Sequence, residues 1–111
     1  MARIRANNTS GGGGFVGSFT PTTSAFAEVE IGFVPTRIFL EGFMSGTYSG
    51  AYSVDFDVVN SKIYQSFGTS QNRNDATSSY LNNNMKVEGT KFFMKAPNGS
   101  MAQLTYIMAI S

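Results

Sequence analysis

Two pairs of carboxylates have the spacing best suited to chemistry: Asp55 with Asp57, and Glu28 with Glu30. Each pair is two residues apart in a segment of extended pattern. That puts both side chains on one strand face, roughly 7 Å from each other. Glycoside hydrolysis needs two carboxyls flanking one bond. The same pairs would hold Ca²⁺ if loop carbonyls joined them, but no loop has the regular oxygen spacing of a dedicated calcium site. The ordinary place for such residues is the solvated face of an amphipathic strand. The chain has no His and no Cys. This removes the commonest general base, the Ser–His and Cys–His nucleophile pairs, and the imidazole and thiolate metal sites. The four glycines at 11–14 are followed by no Lys-Ser or Lys-Thr and by no helix, so they make no phosphate loop. The expectation is a protein that is no enzyme and carries no cofactor.

The elements that position these residues follow a period of two. "YSVDFDVV" sets Tyr52, Val54, Phe56 and Val58 against Ser53, Asp55 and Asp57. "TRIFLE" sets Ile38 and Leu40 against Arg37, Phe39 and Glu41, and "FAEVEI" sets Phe26, Val29 and Ile31 against Glu28 and Glu30, with the phase shifting near Ala27. Such alternation marks half-buried antiparallel strands, and no long segment has helical spacing. Turn residues agree. Asn60-Ser61 and Asn98-Gly99 read as tight hairpins, and Glu88-Gly89 as a bulge. "GFVP" at 32–35 reads as a corner, which either passes the chain between two sheets or closes a hairpin. Residues 68–79 read as a long exposed loop. Phe15, Phe19, Phe26, Phe43, Phe56 and Phe92 suit a core; Tyr48, Tyr52, Tyr64 and Tyr80 suit a rim. The fold class expected is all-β: an antiparallel β-sandwich, jelly-roll-like, over residues 15–111. A flexible N-terminal arm, residues 1–14, precedes it.

The segments 92–94 and 104–110 break the rule of one polar face. Adjacent Phe92 and Phe93 must point opposite ways, and "LTYIMAI" is apolar on both faces save for Thr105. The second face needs a cover, supplied by the chain itself or by a neighbour. Phe92, Phe93, Met94, Leu104, Tyr106, Ile107, Met108 and Ile110 are therefore the candidate subunit contacts, and Arg3 and Arg5 the candidate contacts of the arm. Charged residues are only 14% of 111 residues, against about 25% in an average soluble protein. Little charge repulsion keeps copies apart. A net charge of +1 leaves no footprint for nucleic acid. No apolar run approaches the roughly 20 residues of a membrane span, and the N-terminus has no apolar signal region.

A strand, then Gly-Phe-x-Pro, then a strand rich in Ile, Val and Leu resembles a recurring pattern in small β-sandwich modules of tailed-bacteriophage virion proteins. Those modules include capsid decoration (cement) proteins and domains of tail and fibre proteins. The matching residues are Val29, Ile31, Gly32, Phe33, Pro35, Ile38 and Leu40, with Arg37 at the basic position after the Pro. "VEGTKFFMKA" and the closing apolar strand are similar to the C-terminal part of such modules. The resemblance covers roughly residues 26–44 and 87–110. It implies a structural virion protein, made in the host cytoplasm, that binds the major capsid protein or other virion proteins. By analogy it is a homo-oligomer, with a trimer one form. The alternative is a receptor- or glycan-binding module of a tail fibre, in which Tyr64, Asn72, Asn74, Asp75 and Tyr80 stack on and hydrogen-bond a sugar. Removing residues 1–14 is expected to leave the fold intact and weaken docking on particles. Occupancy on particles is the readout, and wild-type occupancy would discard the arm's role.

Overall fold

The computed structural model describes residues 13–45, 50–67, 73–74 and 83–111. They form two antiparallel sheets packed face to face. The strands are β1 (Gly14–Phe19), β2 (Ala27–Glu30), β3 (Arg37–Met44), β4 (Gly50–Asp57), β5 (Lys62–Phe67), β6 (Arg73–Asn74), β7 (Met85–Glu88), β8 (Lys91–Met94) and β9 (Thr105–Ile110). One sheet has six strands in the order β1-β9-β3-β4-β5-β6, and the other has three in the order β2-β8-β7. Arg3 and Arg5 lie outside the described residues, as do Tyr48, Asn72, Asp75 and Tyr80 and most of the expected loop.

The period of two decides what is buried. Ile38 and Leu40 of β3, Tyr52, Val54 and Phe56 of β4, Ile63 of β5 and Ile107 and Ala109 of β9 point inward from the large sheet. Val29, Phe92, Met94 and Met85 meet them from the small one, with Phe19 edge-on to Phe92 at 6.1 Å. Burying each large side chain contributes about 1.5–3 kcal/mol, which offsets the entropy of ordering the strands. Phe26 and Phe43, expected inside, lie at the surface. Phe26 falls just before β2 begins, and Phe43 shares the outward parity of Phe39 and Glu41.

The corner at 32–35 passes the chain between the sheets. The Ile31 N–H still bonds Thr90 O, extending the small sheet, while the Thr36 N–H already bonds Ile110 O in the large one. Gly32 makes the turn at φ 93°, a conformation that residues with a side chain rarely adopt. Its N–H donates to Glu30 Oε2 at 2.9 Å, and Pro35 is fully buried behind it.

Three turn expectations are corrected. Glu88-Gly89 is no bulge: β7 pairs β8 from Glu88↔Lys91, so Gly89-Thr90 is a two-residue hairpin loop with φ +63° at its glycine. Asn98-Gly99 closes no hairpin, because β8 and β9 belong to different sheets. Asn98 instead caps a short 3₁₀ helix, Gly99–Met101, by accepting from the Ser100 N–H, and the helix drops Met101 into the core. The β4–β5 turn spans Val58 to Ser61, not Asn60-Ser61 alone. Two residues expected in the arm belong to the fold. Gly14 pairs with Ile110, and Gly13 exchanges hydrogen bonds with Ser111, so the strand claims both glycines. A truncation that spares the fold must stop at residue 12.

On the inner face, Tyr52 lies across Gly42 of β3 and reaches Thr105 of β9, its hydroxyl 2.5 Å from Thr105 Oγ1. The Thr105 hydroxyl donates onward to Gln103 O at 3.1 Å, so the buried threonine has a partner on each side. Tyr52 was expected at the rim; it is buried, and burial raises its phenol pKa, with the Thr105 hydrogen bond pulling the other way. A Cβ at position 42 would stand 2.7 Å from the Tyr52 ring. Gly42→Ala is therefore expected to destabilise the fold by about 1–3 kcal/mol, the usual range for overpacking. Denaturant midpoints would show this, and an unchanged midpoint would mean that the ring moves aside freely.

Candidate functional site

Among the described residues, β9 carries three apolar side chains that the chain leaves largely exposed. It lies between β1 and β3, and its inward side chains are Thr105, Ile107 and Ala109. Tyr106, Met108 and Ile110 must then face outward, and they are 56%, 46% and 41% exposed. The register lines them up with neighbours of the same character. Val16 of β1 stands beside Met108, and Met108 stands beside Phe39 of β3. Phe43, 66% exposed, lies further along β3. Between the strands, Val16, Gly17, Phe39, Glu41, Tyr106, Ile107 and Met108 line a shallow depression of about 370 Å³. Scattered apolar residues at a surface are ordinary; a contiguous row across three strands is the candidate contact site.

Polar groups bound the row on the β4 side. Arg37 Nε and Nη2 hold Asp55 Oδ1 and Oδ2 at 2.7 and 3.0 Å, a two-point fork, and the guanidinium also lies 5.9 Å from the centre of the Phe39 ring. The fork raises the Arg37 pKa, first through its hydrogen bond to Asp55 and then through the charge of that carboxylate. Asp57 faces a different partner. It accepts from Asn60 Nδ2 at 2.9 Å and from the Asn60 N–H at 3.2 Å, closing the β4–β5 turn. Thus the Asp55–Asp57 pair does share a face, but one carboxylate is forked to an arginine and the other caps a turn. Glu28 pairs with Lys91 at 3.1 Å, and Glu30 accepts from Gly32. Among the described residues no group of three or more His, Cys, Asp or Glu is placed to hold a metal ion.

The expected contact set divides. Phe92, Met94 and Ile107 leave it, because their strand parity points them into the chain's own core and they are buried there. Phe93 faces outward on the small sheet, but its cover is internal: Lys86 Nζ lies 5.2 Å from the ring centre. Phe26 is flanked in the same way by Lys86 and Lys95, at 4.9 and 5.4 Å. The lysine ammonium groups set against these rings keep a solvated charge beside the apolar patch. Leu104, half exposed, precedes β9, while Tyr106, Met108 and Ile110 are its outward row. The residues not foreseen at the site are Val16, Phe39 and Phe43. For Phe39 the sequence carries a signal, since it alternates with Arg37 and Glu41 on what should be a polar face.

Of the five residues expected to meet a glycan, Tyr64 is half-buried in β5 opposite Asp55 on the outer face. The backbone of Asn74 pairs with Gln65 in β6. Asn72, Asp75 and Tyr80 lie outside the described residues. No membrane-crossing helix is present among the described residues.

No family model, curated protein or solved structure matches the chain.

The hydrogen bonds from Asn60 hold the Asp57 carboxyl below the usual carboxylate range. A lowered folded-state pKa gives stability that is complete above the ordinary carboxylate pKa and is lost as pH falls through the lowered value. Thermal midpoints measured below about pH 4 should therefore fall less steeply in Asp57→Ala than in the native chain. Identical acid limbs would remove Asp57 from this role.

Proposed function

We propose that this chain is a structural component of a tailed-phage virion, a capsid decoration protein that docks on neighbouring capsid subunits through the outer face of its six-stranded sheet. The observation that carries the docking role is the uncovered row of Val16, Met108 and Phe39, continued by Tyr106, Ile110 and Phe43. Covering such a row yields about 25 cal/mol for each Å² of apolar surface removed from water, and a lightly charged chain opposes close packing weakly. The virion setting comes from the resemblance, whose Gly-Phe-x-Pro segment is here the corner that joins the two sheets. On this reading the chain runs no reaction. Its best-placed carboxylates serve an ion pair and a turn.

Met108→Asp tests the role without touching the core, since the side chain is already half exposed. The variant should fold with native circular dichroism and lose most of its occupancy on particles. Native occupancy would overturn the docking face. Copy number separates the two virion settings, hundreds per particle for a capsid and a few for a tail. Binding on a glycan array that disappears with Tyr64→Ala would favour the receptor-binding alternative.

A further inference from the structure

We propose that two copies of this chain join edge to edge through β1, making one continuous sheet with a two-fold axis at Val16. This goes beyond the virion role and does not depend on it. Among the described residues four strands end the two sheets: β1 and β6 in the large one, β2 and β7 in the small one. An end strand offers unpaired N–H and C=O groups to any other chain, and proteins usually blunt it with charge, proline or short length. Three of the four are blunted. β2 carries Glu28 and Glu30, β7 carries Lys86 and Glu88, and β6 is two residues long. β1, reading GFVGSF, is six residues long with no charge and no proline.

The hydrogen-bond phase puts the free groups in the right place. The Ser111 N–H donates to Gly13 O at 3.1 Å, which makes Gly13–Ser111 a bonded pair. Bonded and non-bonded pairs alternate along an antiparallel ladder. Phe15, Gly17 and Phe19 therefore bond towards β9, and Gly14, Val16 and Ser18 present their N–H and C=O to the side on which no described strand lies. Val16 is the middle one of these three. A two-fold axis through it sets Val16 against its counterpart and Gly14 against Ser18 of the second copy, for about six new N–H···O bonds.

The side chains agree with that register. Opposed residues in an antiparallel pair project from the same side of the sheet. The two outer faces therefore merge, and the row Phe39–Met108–Val16 meets its own continuation at a Val–Val pair. On the inner side each Phe15 comes opposite a Gly17, which has no side chain to collide with it. No like charges are brought together, as they would be by Glu28 and Glu30 if β2 were paired in the same fashion.

The test uses the full chain. Sedimentation velocity over a wide concentration range should show a species of about twice the chain mass. Val16→Lys sets two ammonium groups opposite each other at an exposed position and should raise the dimer dissociation constant about tenfold or more. Val16→Thr should leave it near the native value. Because the chain has no cysteine, Val16→Cys reports the register directly. Cα atoms about 5.5 Å apart across a bonded pair lie within disulfide reach, so mild oxidation should cross-link this variant rapidly. Ser18→Cys should not cross-link, because its counterpart lies about 14 Å away along the strand. Should Val16→Lys fail to fold, the two cysteine variants decide. A native chain that is monomeric throughout, a dimer indifferent to Val16→Lys, or equal cross-linking at 16 and 18 would overturn the proposal. A monomer that dimerises only after removal of residues 1–12 would also overturn it, by assigning the edge to the chain's own N-terminal segment.

Discussion

β9 has apolar side chains on both faces, and a period of two gives it no means of burying them all. Its place between β1 and β3 fixes the choice. Thr105, Ile107 and Ala109 enter the core, and Tyr106, Met108 and Ile110 are left outside. Thr105 is the one polar residue that β9 turns inward, and it is matched by the Tyr52 hydroxyl reaching over Gly42. That contact pins β4 to β9 across β3 and holds the strand in register. A slip of one residue would put Tyr106 and Met108 inside and expose Ile107. The apolar outer row is thus a consequence of the same pairing that builds the core.

The two outer faces solve their solvation in different ways. On the small sheet, Lys86 and Lys95 lie along Phe26 and Phe93, while Lys91–Glu28 and Lys86–Glu88 pair at the surface. Each such pair contributes little to stability in water, but together they keep that face wet. On the large sheet Arg37, Asp55 and Asp57 hold one another or a turn, and Glu41 stands beside Tyr106. Among the described residues no lysine lies over Tyr106 as Lys86 does over Phe26 and Phe93. Composition foreshadows this contrast, for a chain with so few charges cannot screen every apolar side chain it exposes.

The strands were legible in the sequence wherever one face was polar. The alternation at 37–41 and 52–57 gave both the strand and its buried side, and Gly32 with Pro35 marked the corner between the sheets. Turns are less legible, for a definite reason. Asn-Gly and Glu-Gly suit several turn geometries, and which one forms depends on the sheet that the next strand joins. That is a long-range fact, invisible around residues 88–99. The interface residues divided on the same ground. Parity showed that Phe92 and Phe93 must part, but only the fold shows that Lys86 covers the second. The contribution of Val16 could not be read from "GFVGSF" alone, because it depends on the β1–β9 register.

The central claim is that the outer row of β9 is a protein contact. Methionine oxidation tests it most directly, because thioether reactivity follows exposure. Met108 is 46% exposed, and Met94 and Met101 are fully buried. In the isolated chain Met108 should oxidise far faster than either. Bound in the proposed assembly, Met108 should be protected to the level of the buried pair. Equal oxidation of Met108 in the free and assembled states would contradict the account.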